Sequence, residues 1–409
     1  MPMLRSLLLL LLATTSGLAQ SFSINDANPA IERWLYANAS SYEPPYAPVF
    51  AYFGSEEVDT RLGQFLFGWD TATLVPTNRG PARYLIRQCR LTLTINRGNW
   101  FAYDPTQDDY RTYFETNHAQ YLADADFGRP VEMYGAGFRN GYTAAAYEQT
   151  SPFGSGAVAQ RNAYAVSWSR NGTLVDVSNN VGKTNATAFP RFETWPFAIG
   201  LTTNAAPGQL VPSGAKMTFD LNLADPFIAT YLQRGLNEGR LRFTVATLHA
   251  ASGQFGNPLY PDFATHFNQA LIDPTRLELD VTVVRDLDTN SNGLPDDWEQ
   301  FYFTNLTQTA SADFDGDGAS NENEFLAGTN PTEAASVFRV NSFQHAGGQT
   351  ELLWPNLPAR HFEIDFSTDL ATWQTITNPV LQYPSATHVV WSETMNAPAR
   401  FYRIRAVAD

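Results

Sequence analysis

The stretch Cys89-Arg90-Leu91-Thr92-Leu93-Thr94-Ile95 places an apolar side chain at every second position. That period fits a strand with one buried face, because successive side chains of a strand point to opposite sides. Cys89 belongs to the apolar set, so it is expected as a small core residue and not as a nucleophile. It is also the only cysteine of the chain, which removes any intramolecular disulfide. Stability must come from sources other than cross-links, buried apolar area first.

Working outward, similar short segments broken by Gly, Pro and Asn recur from Gln20 to Arg285: Ala163–Trp168, Met217–Leu223, Leu241–Leu248 and Leu277–Val283. They predict an antiparallel, jelly-roll-like β-sandwich over 20–285. One helix stands out, with Asp225 as N-cap, Pro226 at the first helical position, Phe227, Ile228, Tyr231 and Leu232 as its apolar face, and Gly235 as terminator. A second helix is expected near Tyr110–Asp124, and Gly135–Gly172, rich in Gly, Ala, Tyr and Ser, reads as long loops. Beyond Val337, the segments Glu351–Trp354, His361–Phe366, Val389–Trp391 and Arg400–Arg405 predict a small second sandwich over 337–409. The fold class is therefore mainly β, with a short segment, 286–336, between the two sandwiches.

The N-terminus opens with Arg5, runs through Leu7–Leu12 and reaches Gly17-Leu18-Ala19, the order of a signal peptide cleaved after Ala19. A secreted product follows, with no transmembrane segment, since the apolar run is too short to span a bilayer. The net charge of −15 is concentrated: between Arg285 and Arg339 there is no Lys or Arg, while eleven carboxylates lie there. An acidic balance without a basic face excludes nucleic acid as a partner.

Two loops account for most of those acids. Calcium takes six to eight oxygens, and a single twelve-residue loop can supply them from positions 1, 3, 5, 7, 9 and 12 with Gly at 6 for the turn. Asp288, Asn290, Asn292, Leu294 (through its carbonyl), Asp296 and Glu299 fit those positions, with Gly293 at the turn. Asp313, Asp315, Asp317, Ala319 (through its carbonyl), Asn321 and Glu324 repeat the pattern around Gly318. Calcium is the expected cofactor, because magnesium resists dehydration and demands a strict octahedron. Exit helices are predicted over Trp298–Phe303 and Asn323–Leu326.

The run from Asp288 through Glu299 and Asp313 to Pro331 resembles the EF-hand-like, thrombospondin type 3 repeat-like calcium segments of secreted bacterial proteins. The resemblance implies calcium and an extracellular setting. Position 8, which pairs loops through backbone bonds in EF-hands, holds Pro295, which has no N–H to give. A structural clip between the sandwiches is expected in place of a sensor, with affinity of about 10⁻⁴–10⁻³ M typical of extracellular modules. Phe65–Trp69, Arg90–Ile95, Met217–Leu223, Leu241–Val245 and Pro274–Leu277 resemble the strand layout of DNRLRE-type β-sandwich domains, apart from a long insertion over Asn96–Trp195. That likeness implies a surface or polysaccharide-associated binding domain. Leu353-Trp354-Pro355, Ser367–Trp373 and Arg400–Arg403 resemble the small sandwich modules that follow such calcium segments, with Trp354, Trp373 and Tyr402 expected in the core.

The functional expectation is extracellular binding or adhesion, with polysaccharide or other cell-surface components as partner. Tyr134, Tyr142, Tyr147, Phe153 and Tyr164 could stack on sugar rings or plug the sandwich; a binder should show a shallow aromatic strip on one face. The alternative is a carbohydrate-active enzyme drawing its acids from Glu56, Glu57, Asp108, Asp109, Asp124, Asp126 and Glu132. His118 and His249 lack the spacing of a zinc site.

Overall fold

The alternation around Leu91 becomes the strand Tyr84–Thr94, in which Cys89, Leu91 and Leu93 are buried. The computed structural model describes residues 20–409 except 38–40, 54–58, 114–115, 118, 120, 155–159, 170, 182–194, 252–259, 269, 271–273 and 395–399. The predicted signal peptide therefore lies outside the described residues, as do Glu56, Glu57 and His118. Burial pushes the Cys89 thiol up to about 12, so it stays protonated and inert.

Tyr84–Thr94 sits inside a four-stranded antiparallel sheet ordered Ser21–Asp26, Thr275–Val283, Tyr84–Thr94, Lys216–Asp220. Leu91 lies between Leu277 and Phe219, and Leu93 between Thr275 and Met217. A nine-stranded sheet faces it, running Asn179–Val181, Asp59–Asp70, Arg240–Thr247, Val131–Phe138, Ala163–Trp168, Leu174–Asp176. Ile31–Leu35 and Phe50–Phe53 also pair with the strand Asp59–Asp70, and Ala198–Ile199 pairs with Val131–Phe138. Phe65, Phe67, Met133, Phe243 and Val245 of this sheet meet Leu91, Leu93, Met217, Phe219 and Leu277 of the other in one core. With 39% of residues in strands and 11% in helices, the fold is mainly β.

Three local expectations are corrected. Within Gly135–Gly172, expected as loops, the strand Val131–Phe138 runs on through Gly135 and Gly137. A Cβ on Gly135 would lie 2.7 Å from the Tyr231 ring, and one on Gly137 would lie 2.3 Å from Val166, so these glycines answer to close packing inside a sheet. Over Tyr110–Asp124 the described residues hold only a single 3₁₀ turn, Tyr110–Tyr113. Arg129 draws Asp108 and Asp124 together at 2.7 and 2.6 Å, which folds the segment back on itself. The helix α1, Pro226–Glu238, is capped by Asp225 as expected but ends at Gly239, with φ +74°. Gly235 is interior, and a Cβ there would meet the Arg240 carbonyl at 2.6 Å.

The C-terminal region forms a four-stranded sheet, Ser342–Ala346, Gln349–Pro355, His388–Thr394, Leu381–Ser385, and a three-stranded one, Gln374–Thr375, Arg360–Ser367, Phe401–Ala408. Leu352, Trp354, Phe362, Ile364, Val389 and Trp391 fill the core, with Tyr402 packed partly against it. Trp373 is instead half-buried beneath Arg403, 4.5 Å from guanidinium carbon to ring centre. This sandwich touches α1 directly. The Ala359 N–H donates to Thr230 Oγ1 at 2.8 Å, Arg234 pairs with Asp409 at 2.8 Å, and Tyr383 meets the Phe227 ring at 5.1 Å. Among the described residues no helix is long and apolar enough to cross a membrane.

Candidate metal centre

Both loops turn at glycine in the left-handed region, Gly293 at φ +90° and Gly318 at φ +96°. A Cβ on Gly318 would touch nothing, so backbone conformation alone requires glycine at that position. The carboxylate at position 1 then organises each turn. Asp288 accepts from the N–H groups of Asn292 and Gly293 at 3.1 and 2.9 Å. Asp313 accepts from Gly316, Asp317 and Gly318 at 2.8, 3.2 and 2.9 Å. The same logic continues along each loop, with Leu294 N–H donating to Asn292 at 2.8 Å and Ala319 N–H to Asp317 at 2.7 Å. This scaffold brings one oxygen each of Asp313, Asp315 and Asp317 within 4.8 Å of one another.

The exit helices, α2 (Asp296–Phe303) and α3 (Asn321–Ala327), each begin two residues earlier than expected. Positions 9 and 12, Asp296 with Glu299 and Asn321 with Glu324, thereby fall in one helical turn and share a face. All four are buried. No hydrogen bond reaches either oxygen of Glu299 or Glu324, nor Asp296 Oδ2, Asp315 Oδ2, Asp317 Oδ2 or Asn321 Oδ1. Buried carboxylate oxygens without partners carry a large desolvation penalty, and a hard cation is the partner that suits an all-oxygen set.

In place of backbone pairing at position 8, the connecting segment ties the loops together. Asn292 donates through its side chain to the Gln308 carbonyl at 2.8 Å, and Asn321 to the Thr309 carbonyl at 3.0 Å. Ala310 N–H donates to the Asn292 carbonyl, and its own carbonyl accepts from Glu322 N–H at 3.0 Å. Beneath them Val284, Leu294, Trp298 and Phe303 form a small core with Leu85 and Phe325, and this core seats the loops on the N-terminal sandwich.

No protein-family model, curated protein or solved structure matches this chain. The arrangement therefore rests on its own chemistry.

Asp297 lies at position 10, outside the ligand template, yet it is the group that anchors the first loop. Its fully buried carboxylate accepts from the N–H of Gln20 at 3.0 Å and from Arg285 three times, N–H at 3.0 Å, Nε at 2.7 Å and Nη2 at 2.8 Å. The only sequence cue was Arg285, the last cation before the acidic stretch. Asp286 is likewise held, by Arg83 at 2.6 Å.

The described acids among those considered for catalysis are engaged elsewhere; Glu56 and Glu57 lie outside the described residues. Glu132 pairs with Arg61 at 2.9 Å, Asp109 with Arg111 at 2.6 Å, and Asp108 and Asp124 with Arg129. Asp126 meets the Thr106 hydroxyl. Tyr134 and Tyr147 are fully buried, and Tyr142 and Phe153 pack beside Tyr147, so these rings plug the sandwich. Half-buried Tyr164 lies under Arg139. An aromatic strip runs elsewhere, through Trp34, Tyr36, Phe50, Tyr260 and Trp100, with successive ring centres 4.9, 5.3, 5.2 and 5.8 Å apart. Arg97 extends it, lying 3.9 Å from the Trp100 ring and 4.9 Å from exposed Tyr46.

Burial and the Asp315, Asp317 and Asp313 charges push the Glu324 carboxyl up to about 7 in the metal-free protein. An unfolded glutamate titrates near ~4.3, so between those values the folded state holds the extra proton. In chelator, stability should therefore fall as pH rises from about 4.5 to 7. Metal affinity at this loop should rise over the same window, because a bound cation displaces that proton. Melts in chelator at a series of pH values, alongside calcium titrations, test this; a metal-free melt that is flat or rises across the window would contradict it.

Proposed function

We propose that this chain is a secreted, extracellular binding or adhesion protein in which calcium, held by the two acidic loops, stiffens the junction between two β-sandwiches. The buried, partnerless oxygens of Glu299 and Glu324 carry the calcium reading. In each loop the ion would be held by the residues at positions 1, 3, 5, 7, 9 and 12, and it would supply charge neutralisation rather than catalysis. Calcium fits better than magnesium because asparagine side chains and a backbone carbonyl complete each set, which suits a flexible shell.

The partner class rests on the strip from Trp34 to Tyr46. Phe50 is buried within this run, and the part-exposed Trp34, Tyr36, Trp100 and Tyr260, with exposed Tyr46, offer aromatic surface on which sugar rings can stack.

Retention of the calcium-loaded protein in gels cast with neutral polysaccharides tests this reading. Tyr46→Ala and Trp100→Ala should each weaken retention about tenfold, the loss of roughly 1.4 kcal/mol. Equal retention of wild type and both variants, or no retention on any polysaccharide, would remove the polysaccharide assignment and leave the calcium reading standing.

A further inference from the structure

A third group of carboxylates lies in the N-terminal sandwich, away from the acidic loops. One oxygen each of Asp104, Asp108 and Asp126 lies within 4.8 Å of the other two. Such a cluster also contains exposed acids and would by itself mean little. Two further observations give it meaning.

Asp104 is 3% exposed, and no donor reaches its Oδ2. Among the described carboxylates outside the two loops, only Asp262 also has a buried oxygen that no donor reaches, and Asp262 faces Arg97 through its other oxygen. Asp104 has only Thr106, whose N–H and hydroxyl approach its Oδ1 at 2.8 and 2.7 Å.

The Thr106 hydroxyl is also 2.7 Å from Asp126 Oδ2. A hydroxyl has one hydrogen to give, so two carboxylate oxygens at that distance cannot both be satisfied by it. The nearby guanidiniums are already committed, Arg129 between Asp108 and Asp124 and Arg111 on Asp109. The local charge therefore stays negative at Asp104 and Asp126, and like charges at this spacing need a cation or a proton between them.

We propose that Asp104, Asp108 and Asp126 bind a divalent, oxygen-seeking cation, independently of the two acidic loops. Oxygens on opposite sides of a calcium ion are roughly 5 Å apart, so the observed spacing fits without rearrangement. The all-carboxylate set points to calcium, magnesium or manganese and away from zinc or copper. Such an ion would pin the segment between the strands Tyr84–Thr94 and Val131–Phe138, where Gly128 lets the chain press within 3.0 Å of the Asp104 Cβ, measured from a Cβ built on the glycine.

The test uses the full mature chain carrying Glu299→Gln/Glu324→Gln, titrated calorimetrically with calcium, magnesium and manganese in turn. One ion should still bind, and adding Asp126→Asn should abolish it. Asp126 is exposed, so this change spares the core; Asp104→Asn, near-isosteric, is the second variant should the first fail to fold by circular dichroism. In the wild-type background Asp126→Asn should remove one ion and leave loop binding intact, which separates this site from the loop reading. No bound ion in the loop-deficient protein at millimolar metal, or an ion that survives both Asp126→Asn and Asp104→Asn, would overturn the proposal.

Discussion

On the calcium reading, Glu299→Gln/Glu324→Gln protein should lose two calcium ions and the part of the rise in melting temperature in calcium that the loops would confer on the wild type. Each glutamate is the position that can offer two charged oxygens to one ion, and both oxygens of each are buried without a partner. Glutamine keeps the volume but offers one neutral oxygen and adds an N–H₂ facing the site, where it would repel a cation. At calcium tenfold above a dissociation constant of about 10⁻⁴–10⁻³ M, each site stabilises by roughly 1.4 kcal/mol. Two sites give about 3 kcal/mol, or roughly 6–12 °C in the transition that includes the junction. In chelator the variant should be at least as stable as wild type, because two buried charges are gone. Calorimetric stoichiometry and melts with and without calcium read both effects; a double variant that still shows the full calcium-dependent rise would show that the loops are not its cause.

Asp297→Ala should lower stability by about 3 kcal/mol, the cost of removing one partner from a buried, multiply bonded ion pair. The carboxylate accepts four hydrogen bonds and joins three places in the chain, Gln20, Arg285 and the first turn of α2. Its loss leaves the Gln20 and Arg285 N–H groups without that partner and lets α2 drift, so calcium affinity at the first loop should weaken as well. Urea unfolding in chelator reads the structural loss alone, and any further loss seen in calcium reads the weakened affinity, because a bound ion stabilises by RT ln(1 + [L]/Kd). Asp297→Asn, which can keep some of the bonds, should sit between. A change under 0.5 kcal/mol, the range of ordinary surface substitutions, would mean that Asp297 is only decoration on the loop.

How far the chain could be read in advance depended on how local the cause was. The strand at Leu91 and Leu93 was legible because alternation is written in neighbouring residues, and so was the spacing of Asp313, Asp315 and Asp317, since one loop carries the whole set. The end of α1 was misread because Gly235 looks like a terminator; the reason for its glycine is the Arg240 carbonyl 2.6 Å from where a Cβ would sit, a tertiary fact. Gly135 and Gly137 misled in the same way, suggesting loops where aromatic side chains crowd a strand. The anchoring role of Asp297 was harder to see, because although Arg285 lies 12 residues away, the tie to Gln20 spans 277 residues. The aromatic strip escaped notice for a related reason: Trp34, Phe50, Trp100 and Tyr260 are scattered in sequence and adjoin only once the sheets are built.

The order of strands in the smaller sheet of the N-terminal sandwich sets the order of events in folding. Ser21–Asp26, the most N-terminal of the described strands, pairs among the described residues with Thr275–Val283 alone, which also supplies one flank of Tyr84–Thr94. Until the chain has been made through Val283, the first strand has no partner and the sheet has an open side. Closure across so long a separation is entropically expensive and slow, and the waiting strand is an exposed edge prone to wrong pairing. Arg285, just past this strand, and Asp297 in the first turn of α2 fasten the acidic segment against Gln20. The strand that closes this sheet thus runs on into the segment that shapes the ion-binding loops, so a cation held there would act as a latch on the closed sandwich.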